Sequence, residues 1–344
     1  MSFKQKSMFM FCFGFMVGAF ASYFPCLSQV LFLKRANLRD TTPLTTVAMT
    51  EPPQVQDSQV QESQEFMSLM KSIQKERKET LQRACTNLEK NCKGTGTTHF
   101  QRAFFSKRYQ LAACDIYKSG STTMMHSILK MNGVAWESLN FRGMMDASAK
   151  IRFSSITDNE EKTAMWNAYT KIILVRHPFE RFVSGYTNKL IPSGVGFGGY
   201  YKELSPQLNK EYRHLRSDVS KRNATEPKHA TFEDFLNYLL TTKERPMDGH
   251  WADYVQLCEP CAHGYDVIMK MDTLENDVRY VTSLLNLTAE HSKDFFKNQI
   301  GRSTKSNKTM EYFETIPKEL ANRLYENRRR DFEMFGYRKP EWIC

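Results

Sequence analysis

The sequence predicts an α/β domain built on a parallel sheet with helices on both faces. Short apolar runs alternate along the chain with segments of helical periodicity. Each of three such runs leads into residues that begin a helix. Strands buried on both faces read as near-continuous apolar runs, and crossover helices join parallel strands, so this alternation indicates the α/β class.

The first predicted strand runs from Leu111 to Tyr117 and ends in the loop Lys118-Ser119-Gly120-Ser121-Thr122-Thr123. A helical pattern follows the loop, and Gly133 can end that helix because glycine readily adopts a left-handed backbone. This order of strand, polar loop and helix is typical of sites that bind phosphate.

Two further strands are predicted, at 171–175 and 265–271. Pro178 suits the first turn of the helix after the second strand. The apolar stripe of this helix is Phe179, Phe182, Val183, Tyr186 and Leu190. After the third strand, Asp272 and Glu275 have the spacing of a capping box.

Basic residues follow two of these strands, Lys118 after the first and Arg176 after the second. Ligands of open α/β sheets lie at the carboxyl ends of the strands, so both residues are candidates for one site. Lys118 precedes Gly120, whereas a Walker loop has its lysine after the last glycine, which argues against a triphosphate-hydrolysing loop. The helix N-terminus, Lys118 and the hydroxyls of Ser121, Thr122 and Thr123 can instead hold one compact anion. An ordinary structural helix cap is the alternative.

A second candidate group lies in the helix that Pro178 begins. Arg176 can bind a phosphate with two parallel hydrogen bonds, and Ser184 can donate to the same group. We interpret Arg181 as a structural ion-pair partner rather than a ligand.

Both groups resemble known sulfotransferase motifs. Lys-Ser-Gly-Ser-Thr-Thr at 118–123 resembles the 5′-phosphosulfate loop of sulfotransferases, and Arg-x-Pro-x-x-Arg-x-x-Ser at 176–184 is similar to their 3′-phosphate site. Further segments resemble the membrane-bound carbohydrate sulfotransferases that include chondroitin and dermatan 4-O-sulfotransferases. They are His250–Cys261, Tyr265-Asp266, Thr273–Glu275, Leu324-Tyr325, Asp331-Phe332 and Met334–Tyr337. Tyr117 and His177 stand where that family commonly has Pro and Asp.

The resemblance implies a P-loop-like sulfotransferase domain that uses 3′-phosphoadenosine 5′-phosphosulfate (PAPS) as donor. Lys118 would act in catalysis, stabilising charge on the bridging oxygen, and the loop residues Ser119, Gly120, Ser121, Thr122 and Thr123 would bind the phosphosulfate. Arg176 and Ser184 would hold the 3′-phosphate. No metal is expected, because side chains and a helix terminus manage the charge.

The acceptor hydroxyl needs a general base, and His250 is the first candidate because it lies in a matching segment and has a suitable pKa. A purely structural histidine packed beside Trp251 is the alternative. His126, on the helix after the phosphate loop, and acidic side chains also remain open as bases.

The N-terminal third is predicted to anchor the domain in a membrane. Residues 1–7 form a cytoplasmic tail, 8–30 an uncleaved transmembrane signal anchor, 31–99 a stem and 100–338 the lumenal domain. A cleaved signal peptide is the alternative for the apolar segment. The polar stretch 37–65 is expected to be extended or disordered. Residues 66–81 are expected to form a short amphipathic helix that pairs with a partner chain or rests on its own domain.

Cysteines and glycosylation triplets favour a secretory-pathway lumen. Asn223, Asn286 and Asn307 each begin an Asn-x-Thr triplet. Disulfides are expected among the cysteines outside the anchor, with the pairing left open, and a half zinc site at Cys258 and Cys261 is the weaker alternative. With the anchor, these features predict a single-pass type II membrane protein with a lumenal domain, and the resemblance implies the Golgi membrane.

The predicted reaction is sulfuryl transfer from PAPS to a glycan hydroxyl. The net charge of +10 favours an anionic partner. The resemblance implies an acidic or neutral glycan rather than a nucleic acid, with a chondroitin-like glycosaminoglycan as the expected acceptor. A homodimer is left open. The alternatives are an inactive relative that binds glycan or donor and, with less support, a phosphoryl transferase, which would need a Walker loop.

Overall fold

A computed structural model of the chain describes residues 55–88, 98–222, 228–242, 247–288 and 306–343. The predicted cytoplasmic tail, the anchor at 8–30 and Asn223 lie outside these residues, as does the side chain of Asn307. Among the helices in the described ranges, none has the length and apolar character needed to cross a bilayer.

The sheet has four strands in the order β1 (Ala103–Ser106), β2 (Leu111–Cys114), β3 (Thr170–Val175) and β4 (Val267–Lys270). Strands β2, β3 and β4 are parallel, as predicted, with Ile173 opposite both Cys114 and Ile268. The prediction of a wholly parallel sheet is wrong at one edge, because β1 pairs with β2 in the antiparallel sense. The connection between β1 and β2 is too short for the crossover that parallel strands require.

Helices cover both faces of this sheet. Along β3, Ile172 and Leu174 pack into one apolar core, whereas Ile173 and Val175 pack into the other. The described helices are α1 (Val55–Leu88), α2 (Thr98–Arg102), α3 (Ser121–Met131), α4 (Phe141–Lys150), α5 (Asn159–Ala168), α6 (Pro178–Lys189), α7 (Tyr200–Tyr212), α8 (Phe232–Thr241), α9 (Tyr254–Cys258), α10 (Leu274–Leu284), α11 (Ser306–Phe313) and α12 (Lys318–Met334). Residues of α3 and α10 pack on the first face and residues of α6, α8 and α12 on the second.

Helix α1 is longer than predicted and rests on its own domain. It begins at Val55, so the expectation of an extended chain up to residue 65 is wrong for its last part. The side-chain amide of Gln74 bonds both backbone groups of Ile268, accepting from the N–H at 2.9 Å and donating to the carbonyl at 3.1 Å. Arg77 Nη1 also donates to the Ile268 carbonyl, at 2.6 Å, so side chains of α1 satisfy peptide groups of β4 at the sheet edge.

The capping box predicted at Asp272 and Glu275 is not formed. The residue that caps α10 is Thr273, and its side chain makes no capping bond. Buried Asp277 in the first turn instead accepts hydrogen bonds from the Lys270 N–H at 2.9 Å and from the Thr273 hydroxyl at 2.6 Å. The β4–α10 junction is therefore held by a residue that the capping pattern did not identify.

Two disulfides link distant parts of the chain. Cys85 of α1 pairs with Cys261, and Cys114 at the end of β2 pairs with Cys258. The disulfide interpretation is confirmed, and the zinc alternative for Cys258 and Cys261 is wrong because each sulfur is bonded to a remote cysteine. The second disulfide anchors the strand from which the Lys118 loop emerges.

Candidate active site

One cleft of about 330 Å³ lies at the carboxyl ends of β2 and β3. Seven of the predicted site residues line it: Lys118, Gly120, Ser121, Thr122, Arg176, Ser184 and His250. The other two do not line the cleft, because Ser119 and Thr123 are buried with exposed fractions of 1% and 6%. Chain segments that are far apart in sequence are thus gathered around one space.

The loop after β2 delivers a lysine and a helix N-terminus to this cleft. Lys118 has φ of +70° and Gly120 has φ of +78°, so the backbone turns sharply twice before α3 begins. Left-handed backbone suits glycine, which accounts for Gly120 as the residue that caps α3. The Met124 N–H donates to the Gly120 carbonyl at 3.0 Å, so the preceding first-turn N–H groups have no intrahelical acceptor. These groups can bind an anion.

Lys118 itself is half-buried and close to other cations. Burial, with further contributions from Lys189 and Arg176, lowers the pKa of Lys118 to about 8. An anion bound in the cleft would stabilise the charged form of this side chain. Binding of a negatively charged ligand is therefore expected to raise the pKa of Lys118.

Arg176 follows β3 directly and is held from several sides. Its Nε donates to Glu180 at 3.1 Å and its Nη1 to the Lys118 carbonyl at 3.3 Å. The Tyr254 hydroxyl accepts from the Arg176 N–H at 3.1 Å and donates to the Arg176 carbonyl at 2.6 Å. Among the described residues the remaining guanidinium N–H groups have no hydrogen-bond partner, and Arg176 lines the cleft together with Ser184, where a ligand could accept from them.

His250 lines the same cleft and is oriented by two neighbours. Its Nδ1 lies 2.8 Å from Asp248 Oδ1 and 2.9 Å from the Tyr201 hydroxyl, which in turn donates to Asp248 Oδ2 at 2.8 Å. A carboxylate only accepts, so Nδ1 carries the proton and Nε2 carries the lone pair. Burial lowers the pKa of His250, against the opposing effect of Asp248, so the ring is neutral at pH 7.

The other histidine candidate is occupied elsewhere. The ring of His126 stacks on Trp136 with 3.6 Å between centroids, and its Nε2 lies 3.0 Å from Met144 Sδ. His126 is not among the residues that line the cleft. Of the two histidines considered as bases, the geometry favours His250.

Several residues of the site were missed by sequence reasoning. Asn188 and Lys189 line the cleft beside Ser184, and Asp248 orients His250. The helical spacing of Ser184 and Asn188 could have identified the second, because residues four apart share a helix face. Arg181 was interpreted as an ion-pair partner, whereas its guanidinium donates to the backbone carbonyls of Tyr117, Gly249 and Ala252.

Together, the sheet, the cationic loop and the histidine define an α/β domain with a cleft lined by basic side chains and a histidine. The family model described as "Sulfotransferase family" matches residues 101–338. The chain therefore belongs to the sulfotransferase family, and its relatives place it among the carbohydrate sulfotransferases, as the resemblance predicted.

Three curated relatives illustrate this similarity. Carbohydrate sulfotransferase 10 of Gallus gallus is 30% identical over 286 residues, which cover 79% of this chain and 77% of the relative. The Homo sapiens protein of the same name is 30% identical over 284 residues, covering 78% and 76%. Carbohydrate sulfotransferase 8 of Homo sapiens is 28% identical over 285 residues, covering 80% and 65%. No solved structure matches the chain.

Proposed function

We propose that the chain transfers a sulfuryl group from PAPS to a hydroxyl of a glycan. The observation that carries the proposal is that Lys118, the N-terminus of α3, Arg176 and His250 surround one cleft. Sulfuryl transfer needs an anion site for the leaving group, a second anchor for the donor and a base for the acceptor, and these residues can supply all three.

The donor has two anionic ends, and the cleft offers a cationic group to each. Lys118, with the N–H groups and hydroxyls of Ser121 and Thr122, would bind the 5′-phosphosulfate. Arg176 and Ser184 would bind the 3′-phosphate through charge-assisted hydrogen bonds. Buried Ser119 and Thr123 would support the loop through their position rather than by side-chain contact with the donor.

In the transfer step, the acceptor oxygen forms a bond to sulfur while the bond between sulfur and the bridging oxygen breaks. His250 Nε2 takes the proton of the attacking hydroxyl, and Asp248 stabilises the resulting imidazolium through the Nδ1 hydrogen bond. Lys118 stabilises the negative charge that develops on the bridging oxygen. The products are a sulfate ester and 3′-phosphoadenosine 5′-phosphate, and this scheme assigns no step to a metal ion.

For the acceptor we propose a glycosaminoglycan of the chondroitin type. The net charge of +10 favours an anionic polymer, and Lys189 adds a cation on the rim shared with His250. The names of the relatives support a carbohydrate acceptor in general. The type of sugar rests on the resemblance to chondroitin sulfotransferases.

We also propose that the protein is a single-pass type II protein of the Golgi membrane, with residues 8–30 as its anchor. The disulfides Cys85–Cys261 and Cys114–Cys258 support an oxidising compartment. The Asn286 side chain is exposed just after α10, where it is accessible to glycosylation.

The function is tested by incubating the full chain with radiolabelled PAPS and a panel of desulfated polysaccharides. We expect label in desulfated chondroitin and strongly reduced label with Lys118→Ala or Arg176→Ala, because each substitution removes one of the two anion anchors. Label in a different glycan would retain the reaction and replace the proposed acceptor. Donor binding without transfer to any member of a broad panel would instead support an inactive binding relative.

A further inference from the structure

Arg181 lies beneath the cleft and is fully buried, with an exposed fraction of 0%. Its Nε donates to the Tyr117 carbonyl at 3.0 Å, its Nη1 to the Ala252 carbonyl at 2.7 Å and its Nη2 to the Gly249 carbonyl at 3.1 Å. All three guanidinium nitrogens thus bind backbone oxygens. A buried arginine that binds peptide carbonyls fixes the positions of the chain segments that carry them.

Those carbonyls belong to the two segments that carry the reacting side chains. Tyr117 directly precedes Lys118, and Gly249 and Ala252 lie on either side of His250. The rings of Tyr117 and His250 also approach within 4.7 Å of each other. One side chain therefore joins the loop that binds the donor to the segment that supplies the base.

The Arg181 guanidinium is also connected, through Tyr254, to Arg176. It lies 5.2 Å from the ring centroid of Tyr254, whose hydroxyl bonds both backbone groups of Arg176. Arg181 and Tyr254 are thus two fully buried side chains that bind the backbone beside Lys118, beside His250 and at Arg176.

Arg181 is not paired with the acidic residues near it. Tyr254, Asp331, Arg328 and Asp253 act on it electrostatically, and within the described residues Arg181 forms no salt bridge to Asp331 or Asp253. Asp331 Oδ1 accepts from the Tyr254 N–H at 3.1 Å. The hydrogen bonds of Arg181 are thus directed to the loops of the active site rather than to an acidic partner.

We propose that Arg181 is a positioning residue that holds Lys118 and His250 at the separation needed for transfer. The proposal rests on the proposed function. Its consequence is a larger effect on the chemical step than on donor binding, because bound donor still finds Arg176 and Ser184. Small displacements of reacting groups are costly, and about 1 Å can lower the rate about 100-fold.

The test compares Arg181→Lys with Arg216→Lys in the full chain. Arg216 is a matched control, since it is also buried, with 1% exposed, but binds Asp234 at 2.6 Å and Asn209 at 2.9 Å away from the cleft. Lysine keeps the charge and cannot reach three carbonyls at once. We expect Arg181→Lys to lower kcat by about 10-fold to 100-fold with donor Kd changed less than about 3-fold. Arg216→Lys should lower only the Tm.

A second measurement separates positioning from loss of stability. Lys118 faces Arg176, Lys189 and His250 in a half-buried environment. In Arg181→Lys the Tyr117 carbonyl is released, which would expose the Lys118 ammonium to more water. The alkaline fall of kcat/KM should therefore move to a pH higher by about half a unit or more. A merely structural residue would leave that profile unchanged.

Two results would overturn the proposal. The first is equal loss of kcat in the two variants at a temperature where both are folded, and the second is loss of donor binding in Arg181→Lys with kcat unchanged. Lys118→Ala is measured alongside. If that variant retains full activity, the proposed function fails, whatever the outcome at Arg181.

Discussion

Replacement of Lys118 by alanine should lower kcat by about 100-fold to 1000-fold, the effect expected on loss of one group that stabilises charge in the transition state. The Lys118 side chain is half-buried in the loop that leads into α3, where it lines the cleft. Steady-state kinetics with saturating glycan measure this loss. A decrease smaller than about threefold would contradict the assignment of Lys118 to the leaving group.

The same residue should set the alkaline limit of activity. Burial lowers the pKa of Lys118 to about 8, so the charged form is present below that pH and is lost above it. We therefore expect kcat/KM for the donor to fall about tenfold for each pH unit above 8. Lys118→Arg is the control, because a guanidinium stays protonated at alkaline pH. In this variant the fall of kcat/KM above pH 8 should disappear, even if the rate itself is lower.

The second large effect is expected at His250. Its replacement by alanine should lower kcat by about 100-fold or more, the range of general-base catalysis, with the donor Kd nearly unchanged. Burial lowers the pKa of His250, so the acid limb of wild-type activity should lie at lower pH than the titration of an ordinary histidine. His250→Ala should lose this acid limb as well as the rate.

His126 provides the matched control for this substitution. Its ring stacks on Trp136 and is not part of the cleft lining, so His126→Gln should leave kcat and its pH profile unchanged. If His126→Gln lost activity and His250→Ala retained it, the two histidines would exchange roles.

The parallel strands and the proposed donor-binding segments were largely predictable because their signals are local. An apolar run, a polar loop and a helix start were enough to place Lys118 in the loop after β2. Pro178 at the start of α6 placed Arg176 in the junction between the next strand and that helix. Even so, the loop pattern did not separate Ser119 and Thr123, which are buried, from Ser121 and Thr122, which line the cleft.

What could not be predicted depends on contacts between distant segments. The antiparallel edge strand β1 is only four residues long, and all four are buried, so its sequence shows no alternation that would reveal a strand. The role of Gln74 at β4 and the three carbonyls bound by Arg181 involve residues far apart in sequence. A single sequence reports which side chains can bond but not which peptide groups will lie opposite them.

The most direct test of the donor site is the affinity for two nucleotides that differ only in the 3′-phosphate. Calorimetry should show that wild-type protein binds 3′-phosphoadenosine 5′-phosphate about 10-fold to 100-fold more tightly than adenosine 5′-phosphate, because charge-assisted hydrogen bonds contribute about 1.5–3 kcal/mol. Arg176→Met should abolish most of this difference, and Ser184→Ala, which leaves Glu180 paired with Arg176, should reduce it. Lys118→Met should weaken both nucleotides by a similar factor. The proposed donor site would be contradicted if Arg176→Met weakened the binding of both nucleotides equally, or if it weakened the binding of neither.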